Sequence, residues 1–370
     1  MAKKYRVAVV GRTGRGDYGH AVDEAWLPFS SVEIVGVCDD DKMGLAALKK
    51  RLGVERGFSN YEQMLDETKP DIVAICQRWL DQHRDMAVAA AQRGIHVYME
   101  KPFCRSLAEA DEIVDACERA HVKLAVAHPT GYSPKVDRLK KLIEAGRLGT
   151  VLEYRGRGKE DRRGGSEDLW VLGSHVMDLI LTIGGRPEWC FAEVLQDGKP
   201  VTAQDVVDGN EGIGPLAGDT VHAMYGMPDG TKAYFSSVRN MAGSPSRYGL
   251  QIFCSHGIVD LHEGTMPDLF CLRDRGWSPA LSGKQWEPIS SEGFDKPEPL
   301  DGPPYTDRHT LAIQDLIRSI EDADRQPKCS MYRARDVVEM IAGIFESHRQ
   351  GGPVALPLEN RQNPLTMLQG

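Results

Sequence analysis

Arg6 to Gly19 reads RVAVVGRTGRGDYG. Arg6-Val-Ala-Val-Val10 is a β-branched and alanine run of the kind that a strand buried on both faces needs, and it stops at Gly11. Gly14, Gly16 and Gly19 follow closely. A strand-to-helix turn that cradles a pyrophosphate uses one glycine to reverse tightly, a bare backbone for the phosphate, and a small residue where the next helix packs on the strand. Gly11 and Gly16 serve as the first and third of these, whereas Thr13 holds the middle position. The count Gly14-x-Gly16-x-x-Gly19 meets the spacing but starts three residues past the strand. The register set by the strand makes Gly11, Arg12, Thr13, Gly14 and Gly16 the candidate cofactor turn.

The next strand, Val32 to Cys38, ends in Asp39-Asp40-Asp41. An acidic side chain at that tip accepts hydrogen bonds from the adenosine ribose, which makes Asp39 the first candidate. Three carboxylates also repel a 2′-phosphate and favour NAD over NADP, although Arg12 and Arg15 could pair with such a phosphate. Downstream, helical spacing over Lys42–Leu52, Tyr61–Glu67, His83–Arg93 and Ser106–Ala120 alternates with the strand runs Pro70–Cys76, Ile95–Met99 and Val122–Ala127. Ser106 and Glu109 have capping-box spacing. This repetition predicts an α/β fold whose N-terminal Rossmann domain, residues 1–127, is a doubly wound parallel sheet. Its ligand crevice lies at the carboxyl ends of the strands. Gly11 to Gly16, Asp39, Cys76, Gln77, Trp79, Glu100, Lys101, Pro102 and His128 line it.

The 370 residues, 41% of them hydrophobic, suffice for two packed domains. A net charge of −9 argues against nucleic acid as a partner, because phosphate binding wants a basic face. Membrane spans are not expected, since no apolar run approaches the ~20 residues a spanning helix needs. The first strand begins almost at once, leaving no room for a signal peptide. Eight scattered cysteines without a C-x-x-C pair read as reduced, cytoplasmic thiols rather than a disulfide frame or a metal site.

Beyond Gly149 the pattern changes. Val151–Gly158 alternates as a strand with one wet face, and a charged, glycine-rich loop runs from Lys159 to Asp168. Leu169–Ile183 reads as one helix. Asp219–Tyr225 and Thr231–Val238 flank the hairpin signal Pro228-Asp-Gly230, and Gln251–Cys254 and Gly257–His262 add strands. Met266–Tyr305, rich in Pro, Gly, Ser and Trp, reads as a long irregular arm, Arg308–Ala323 and Tyr332–Gln350 as amphipathic helices, and the last residues as a tail. The strands are consistent with a large antiparallel sheet within residues 128–370.

Five motifs stand in order: Gly11-x-x-Gly14-x-Gly16, Val37-Cys38-Asp39, His96-Val-Tyr-Met-Glu100-Lys101-Pro102, Tyr132-Ser-Pro134 with Gly146-x-Leu-Gly149, and Gly173-x-His175-x-x-Asp178. Together they resemble the Gfo/Idh/MocA oxidoreductase family over nearly the whole chain. The resemblance implies that residues 128–370 form a C-terminal α+β domain with a large open, mostly antiparallel sheet, its final helices free to pack back on the first domain, and it implies NAD(P)-linked chemistry on sugars, cyclitols and related polyols, with Lys101 and His175 as catalytic residues. The physical case for Lys101 is independent. A lysine after a strand, followed by a proline that stiffens the turn, is aimed into the cofactor crevice, where its ammonium polarises a carbonyl or holds a hydroxyl. Glu100 is placed to tether it.

One departure stands out. The family's usual aspartate four residues before the histidine is Val171 here, so the acid-base partner is absent or supplied by Asp168, Glu160, Asp161 or Asp178. Trp79 and Trp170 are candidates to stack on a pyranose, with His128, Arg157, Lys159, Asp161 and Asp178 as further substrate contacts. The expected activity is NAD-dependent hydride transfer to or from a secondary carbinol carbon of a sugar, glycoside or cyclitol. A redox-assisted glycoside hydrolase or lyase that recycles NAD and a non-catalytic NAD-binding protein are the alternatives. A homo-oligomer, dimer or tetramer, is expected because an open sheet face without covering helices usually needs a partner.

Overall fold

Strand β1 (Tyr5–Val10) buries every residue except Arg6, as a strand of Val and Ala covered on both faces should. It is the centre of the first of two units in this computed structural model, which describes residues 4–368. That unit comprises Met1–Ala127, Asn210–Gly214 and Arg308–Arg335. Strands β2 (Val32–Cys38), β3 (Gly57–Phe58), β4 (Ile72–Ile75), β5 (His96–Met99) and β6 (Leu124–Val126) join β1 in the parallel order β3-β2-β1-β4-β5-β6. This is the doubly wound order, with a crevice where the chain reverses direction between β1 and β4.

The connecting helices are α1 (Lys42–Leu52), α2 (Tyr61–Thr68), α3 (His83–Gln92) and α4 (Leu107–Ala120). At α1 and α2 side chains satisfy the first amides: the Asp41 carboxylate accepts from Gly44 N at 2.7 Å, and Asn60 Oδ1 from Gln63 N at 2.8 Å. At α4, Ser106 Oγ accepts from Glu109 N, but the Glu109 carboxylate turns to Arg105 N and its guanidinium instead of closing the box on Ser106. Helix α8, Thr310–Glu321, lies on β5 and β6 and is held there by Tyr5 Oη to Glu321 (3.0 Å). The segment 128–370, expected as one domain, therefore gives Asn210–Gly214 and Arg308–Arg335 to the first unit.

The helix expected after β1 is not formed. Among the described residues, only the single turn Glu24–Trp26 stands between β1 and β2. Gly14, Gly16 and Gly19 have φ of 77°, 84° and 62°, and Asp17 and Ala21 of 51° and 65°. A right-handed helix admits none of these values. Gly16 likewise does not pack a helix on β1. A Cβ there would lie 2.5 Å from Arg78 N, so it marks where the turn meets the loop after β4.

The second unit, His128–Gly209, Pro215–Asp307 and Asp336–Gly370, contains α5 (Pro134–Glu144), α6 (Ser166–Val171) and α7 (Gly173–Gly184). Its sheet is built from β7 (Val151–Arg157), β8 (Trp189–Gln196), β9 (Lys199–Pro200), β10 (Thr220–Gly226), β11 (Lys232–Val238), β12 (Gly249–Cys254), β13 (Gly257–His262), β14 (Leu269–Leu272), β15 (Trp286–Ser290), β16 (Gly293–Phe294) and β17 (Val354–Ala355). The order is β16-β15-β14-β13-β12-β7-β11-β10-β8-β17, with β9 beside β8, and only the β7/β11 pair is parallel. Helix α7 lies on β7 and β12, where Gly156 leaves room for Val176. The opposite face presents a cross-strand row, Phe191, Met224, Tyr234, Arg155, Gln251, Asp260 and Phe270, each at least partly exposed.

Three expectations fail here. The Met266–Tyr305 arm contributes β14, β15 and β16, whose short runs are masked in sequence by the Pro and Gly between them. The single helix over Leu169–Ile183 breaks at Leu172 (φ −128°), because Gly173 lets the Phe235 ring approach the backbone. The residues after Pro357 are anchored rather than loose. Leu358 N donates to Glu339 at 2.6 Å, Arg361 pairs with Glu339 at 2.9 Å, and Leu365 is buried. Gln369 and Gly370 lie outside the described residues.

Candidate active site

In the first unit, Asp39 ends β2 with 1% of its surface exposed. Its carboxylate accepts from Thr13 Oγ1 (2.7 Å), Thr13 N (3.2 Å), Asp41 N (2.9 Å) and the Tyr18 hydroxyl. These donors fill the roughly four acceptor positions of a carboxylate. The Tyr18 ring lies where a Cβ on Gly11 would be, with the Arg51 guanidinium 4.5 Å from the ring centre. Burial and the hydrogen bond to Asp39 push the Tyr18 hydroxyl above its usual pKa. Arg12 is paired with Asp40 (3.1 Å) and Asp81 (3.1 Å), and Arg15 with Asp81 (3.4 Å). Both arginines are thus committed to acids of their own unit.

The loop after β4 holds Cys76 and Gln77, both fully buried. Desolvation raises the Cys76 thiol well above its normal value, so it is an inert neutral group. Gln77 Nε2 contacts Met86 Sδ at 3.0 Å, and its Oε1 has no hydrogen-bond partner among the described residues. His83, also buried, links this loop to the next: Nε2 is 2.8 Å from Gln77 O and Nδ1 is 2.9 Å from Pro102 O. Glu100, Lys101 and Pro102 follow β5, all buried, with Lys101 4% exposed. Glu100 contacts His20 Nδ1. Burial alone would raise Glu100, but the His20 hydrogen bond and the nearby Lys101, His20 and His309 charges outweigh it and hold the carboxyl at about 2.

In the second unit, His175 on α7 is 3% exposed. Its Nδ1 lies 3.4 Å from Glu263 Oε1, an ion-pair contact, and its ring meets His128 edge-on at 5.2 Å. Glu263 follows β13 and is fixed by Thr130, whose Oγ1 lies 3.3 Å from Glu263 Oε1 and accepts from Gly264 N at 3.2 Å. The carboxylate beside His175 is therefore Glu263, a residue that sequence reasoning missed. Asp178 is buried one turn along α7.

The other proposed partners are engaged elsewhere. Asp161 binds Arg163 at 2.7 Å, which lowers its carboxyl to about 2. Glu160 is buried and accepts from Val238 N (3.0 Å), Arg157 (3.2 Å) and Arg247 (3.0 Å), fastening the charged loop. Asp168 is fully buried, accepting from Ser237 Oγ (2.5 Å) and Glu160 N (3.1 Å), and desolvation raises its carboxyl. Lys159 is 4.0 Å from Asp161. Trp170 is 3% exposed, so its ring offers no face to a sugar, contrary to expectation: α6 turns it inward. Trp79 keeps partial exposure, with Arg15 stacked 4.9 Å from its ring centre.

Two family models match in tandem: the oxidoreductase family with NAD-binding Rossmann fold over residues 5–128, and the Gfo/Idh/MocA C-terminal domain over residues 136–260. The chain belongs to the Gfo/Idh/MocA family. Among this family member's relatives is the D-apiose dehydrogenase of Paraburkholderia graminis, 32% identical over 40% of this chain and 38% of that protein, well under two thirds of its length. The levoglucosan dehydrogenase of Pseudarthrobacter phenanthrenivorans is 26% identical over 68% of this chain and 72% of its own. A solved levoglucosan dehydrogenase in complex with NADH and levoglucosan superimposes with a TM-score of 0.76 at 19% identity, covering 96% of this chain and 100% of that one. At that identity the likeness establishes the shared fold.

Proposed function

We propose that the chain is an NAD-dependent dehydrogenase that oxidises or reduces a secondary alcohol of a sugar, glycoside or cyclitol. The observation that carries the reading is Lys101, buried at the carboxyl end of β5 in a sheet of dinucleotide-binding order. Relatives named as D-apiose, levoglucosan and myo-inositol dehydrogenases support the substrate class.

The residues fit a dinucleotide. A Cβ added to Gly14 would meet no described atom within 4 Å, which leaves bare backbone open to a phosphate, and the orphaned Gln77 Oε1 can accept from a hydroxyl or amide. Gly11 to Gly16, Asp39, Gln77 and the Glu100-Lys101-Pro102 loop would hold it, and when bound it supplies the hydride acceptor or donor. The Lys101 ammonium orients the carbinol oxygen and stabilises charge developing on it. His175 takes the hydroxyl proton at an imidazole nitrogen, and Glu263 stabilises the imidazolium that results. Trp79, His128, Arg157 and Asp178 are the proposed substrate contacts. A homo-oligomer formed through the exposed sheet face completes the reading.

The test is NADH formation across a panel of sugars, glycosides and cyclitols. Lys101→Ala should cost more turnover than His175→Ala, whose proton-transfer role is worth about 10²- to 10⁴-fold in rate. No turnover on any polyol, or unchanged turnover in Lys101→Ala, overturns it. Redox-assisted glycoside cleavage is the second reading, favoured by Val171 in place of the usual aspartate. A relative from Akkermansia muciniphila named glycosyl hydrolase family 109 protein, 29% identical over 44% of this chain and 36% of its own, also points that way. It predicts aglycone release without net NADH.

A further inference from the structure

Tyr248 stands one residue ahead of β12, and its contacts run to the backbone at both members of the His175–Glu263 pair. The β12/β13 register pairs Leu250 with Leu261 and Gly249 with His262, so the next step of the ladder sets Tyr248 opposite Glu263. Glu263 N donates to Tyr248 O at 3.2 Å and extends the ladder by that bond. A Cβ on Gly249 would lie 2.1 Å from Leu261 O, so the two strands close tightly at this end, as only a glycine permits. Side chains alternate along a strand, which puts Tyr248 and Glu263 on the face of Leu250 and Leu261. Leu250 pairs in turn with Gly156, the residue that leaves room for Val176 of α7. Both side chains therefore stand on the α7 side of the sheet.

From there the Tyr248 hydroxyl donates to Leu172 O at 2.8 Å. Leu172 is where α6 and α7 part, and the same carbonyl accepts from His175 N at 3.0 Å. A carbonyl oxygen has two lone pairs and can take both donors. Tyr248 N donates to Ser246 Oγ at 3.2 Å, and the residue is 9% exposed, so the ring is packed in place. One residue thus holds the Glu263 backbone with its carbonyl and the start of α7 with its hydroxyl. Between these two anchors lies the 3.4 Å contact of His175 Nδ1 with Glu263 Oε1, which joins a helix to the end of a strand.

We infer that Tyr248 is a positioning residue for the proton transfer at His175: its hydroxyl fixes the first turn of α7 against the Glu263 backbone and so sets how the imidazole meets the carboxylate. Geometry of this kind matters because a misplacement of about 1 Å costs roughly 10²-fold in rate. The inference rests on the proposed role of His175, and its first test needs no substrate.

The experiment is NMR of 15N-labelled histidine in the intact chain at one fixed pH, with the His175 ring resonances assigned by the peaks lost in His175→Gln. Glu263→Gln removes the carboxylate's charge and should move those resonances. Tyr248→Phe removes only the hydroxyl and should move them in the same direction. In a Glu263→Gln background it should lose most of that effect, because the carboxylate through which it acts is already gone. Replacement of Tyr248 by 4-aminophenylalanine, which keeps a donor at the end of the ring, should return the wild-type resonances. A tyrosine that serves stability alone would lower Tm in Tyr248→Phe and leave the His175 ring unmoved. Unchanged resonances in Tyr248→Phe, or the same shift with and without the Glu263 carboxylate, overturn the inference. If Tyr248→Phe does not fold, 4-fluorophenylalanine at this position, which fills the space without donating, decides it by the same comparison. On a polyol substrate Tyr248→Phe should lower kcat about 10-fold with KM for NAD unchanged. Absence of any polyol turnover with the NMR result intact would remove the dehydrogenase reading and leave the brace standing.

Discussion

Glu263 stands 88 positions beyond His175 in sequence and 3.4 Å from it in space. Its negative charge favours the imidazolium, so Glu263→Gln should shift the His175-dependent limb of the kcat profile to lower pH and reduce kcat, with NADH affinity unchanged. An identical pH profile in the variant would make Glu263 structural. Glu100 makes a second residue-scale prediction. Its folded value of about 2 lies below the 4.5 of an unperturbed glutamate. Ionised Glu100 therefore stabilises the fold at neutral pH, and that stability is lost as pH falls from 4.5 toward 2. Thermal unfolding from pH 7 to pH 3 should fall more steeply in wild type than in Glu100→Gln. Lys101 and His175 were legible in sequence because short motifs carry them. Glu263 and His20 were not: the first depends on which turn of a sheet faces α7, and the second hides in a run read only for its glycines.

Among the elements, the turn between β1 and β2 departs most from its sequence reading. Its glycines are unequal. An alanine at Gly14 faces open space but must adopt φ 77°, a cost of about 1–2 kcal/mol, whereas at Gly16 it also meets Arg78 N at 2.5 Å. Gly16→Ala should therefore lower Tm and weaken NADH binding more than Gly14→Ala, as thermal shift and NADH fluorescence would show. Equal effects would mean that the turn does not rest on the loop after β4. The parallel strands were readable because continuous Val, Ile and Ala runs admit few other structures. The strands within Met266–Tyr305 were not, since two to five residues between prolines and glycines carry no measurable period.

For the whole molecule, the open sheet face carries Phe191 at 44% exposure, level across the strands with Met224 and Tyr234. Such a face is costly to leave in water, and light scattering should give a multiple of the 40.9 kDa chain mass. Phe191→Glu together with Tyr234→Glu should shift it toward the single-chain mass; a wild-type monomer at micromolar concentration removes the oligomer. No helix among the described residues is long and apolar enough to cross a membrane. The sequence left the final helices free to pack on the first domain, but which stretch joins that unit, Arg308–Arg335, was not legible, because an amphipathic stripe shows that a helix packs without showing on what.

Asp39 already accepts from Thr13, Tyr18 and Asp41, which gives cofactor arrival a kinetic signature. A ribose hydroxyl reaches this carboxylate only by exchanging with one of these donors, and the Tyr18 hydroxyl, unlike the Thr13 and Asp41 amides, can be displaced without moving the backbone. Association observed by stopped flow should then level off at high NADH concentration, its ceiling being the rate of that exchange. Tyr18→Phe should lift the ceiling; a strictly linear dependence in wild type would mean that ribose binds without disturbing the tyrosine. Asp39→Ala, for the same reason, should loosen the turn and weaken both NAD and NADP rather than trade one for the other.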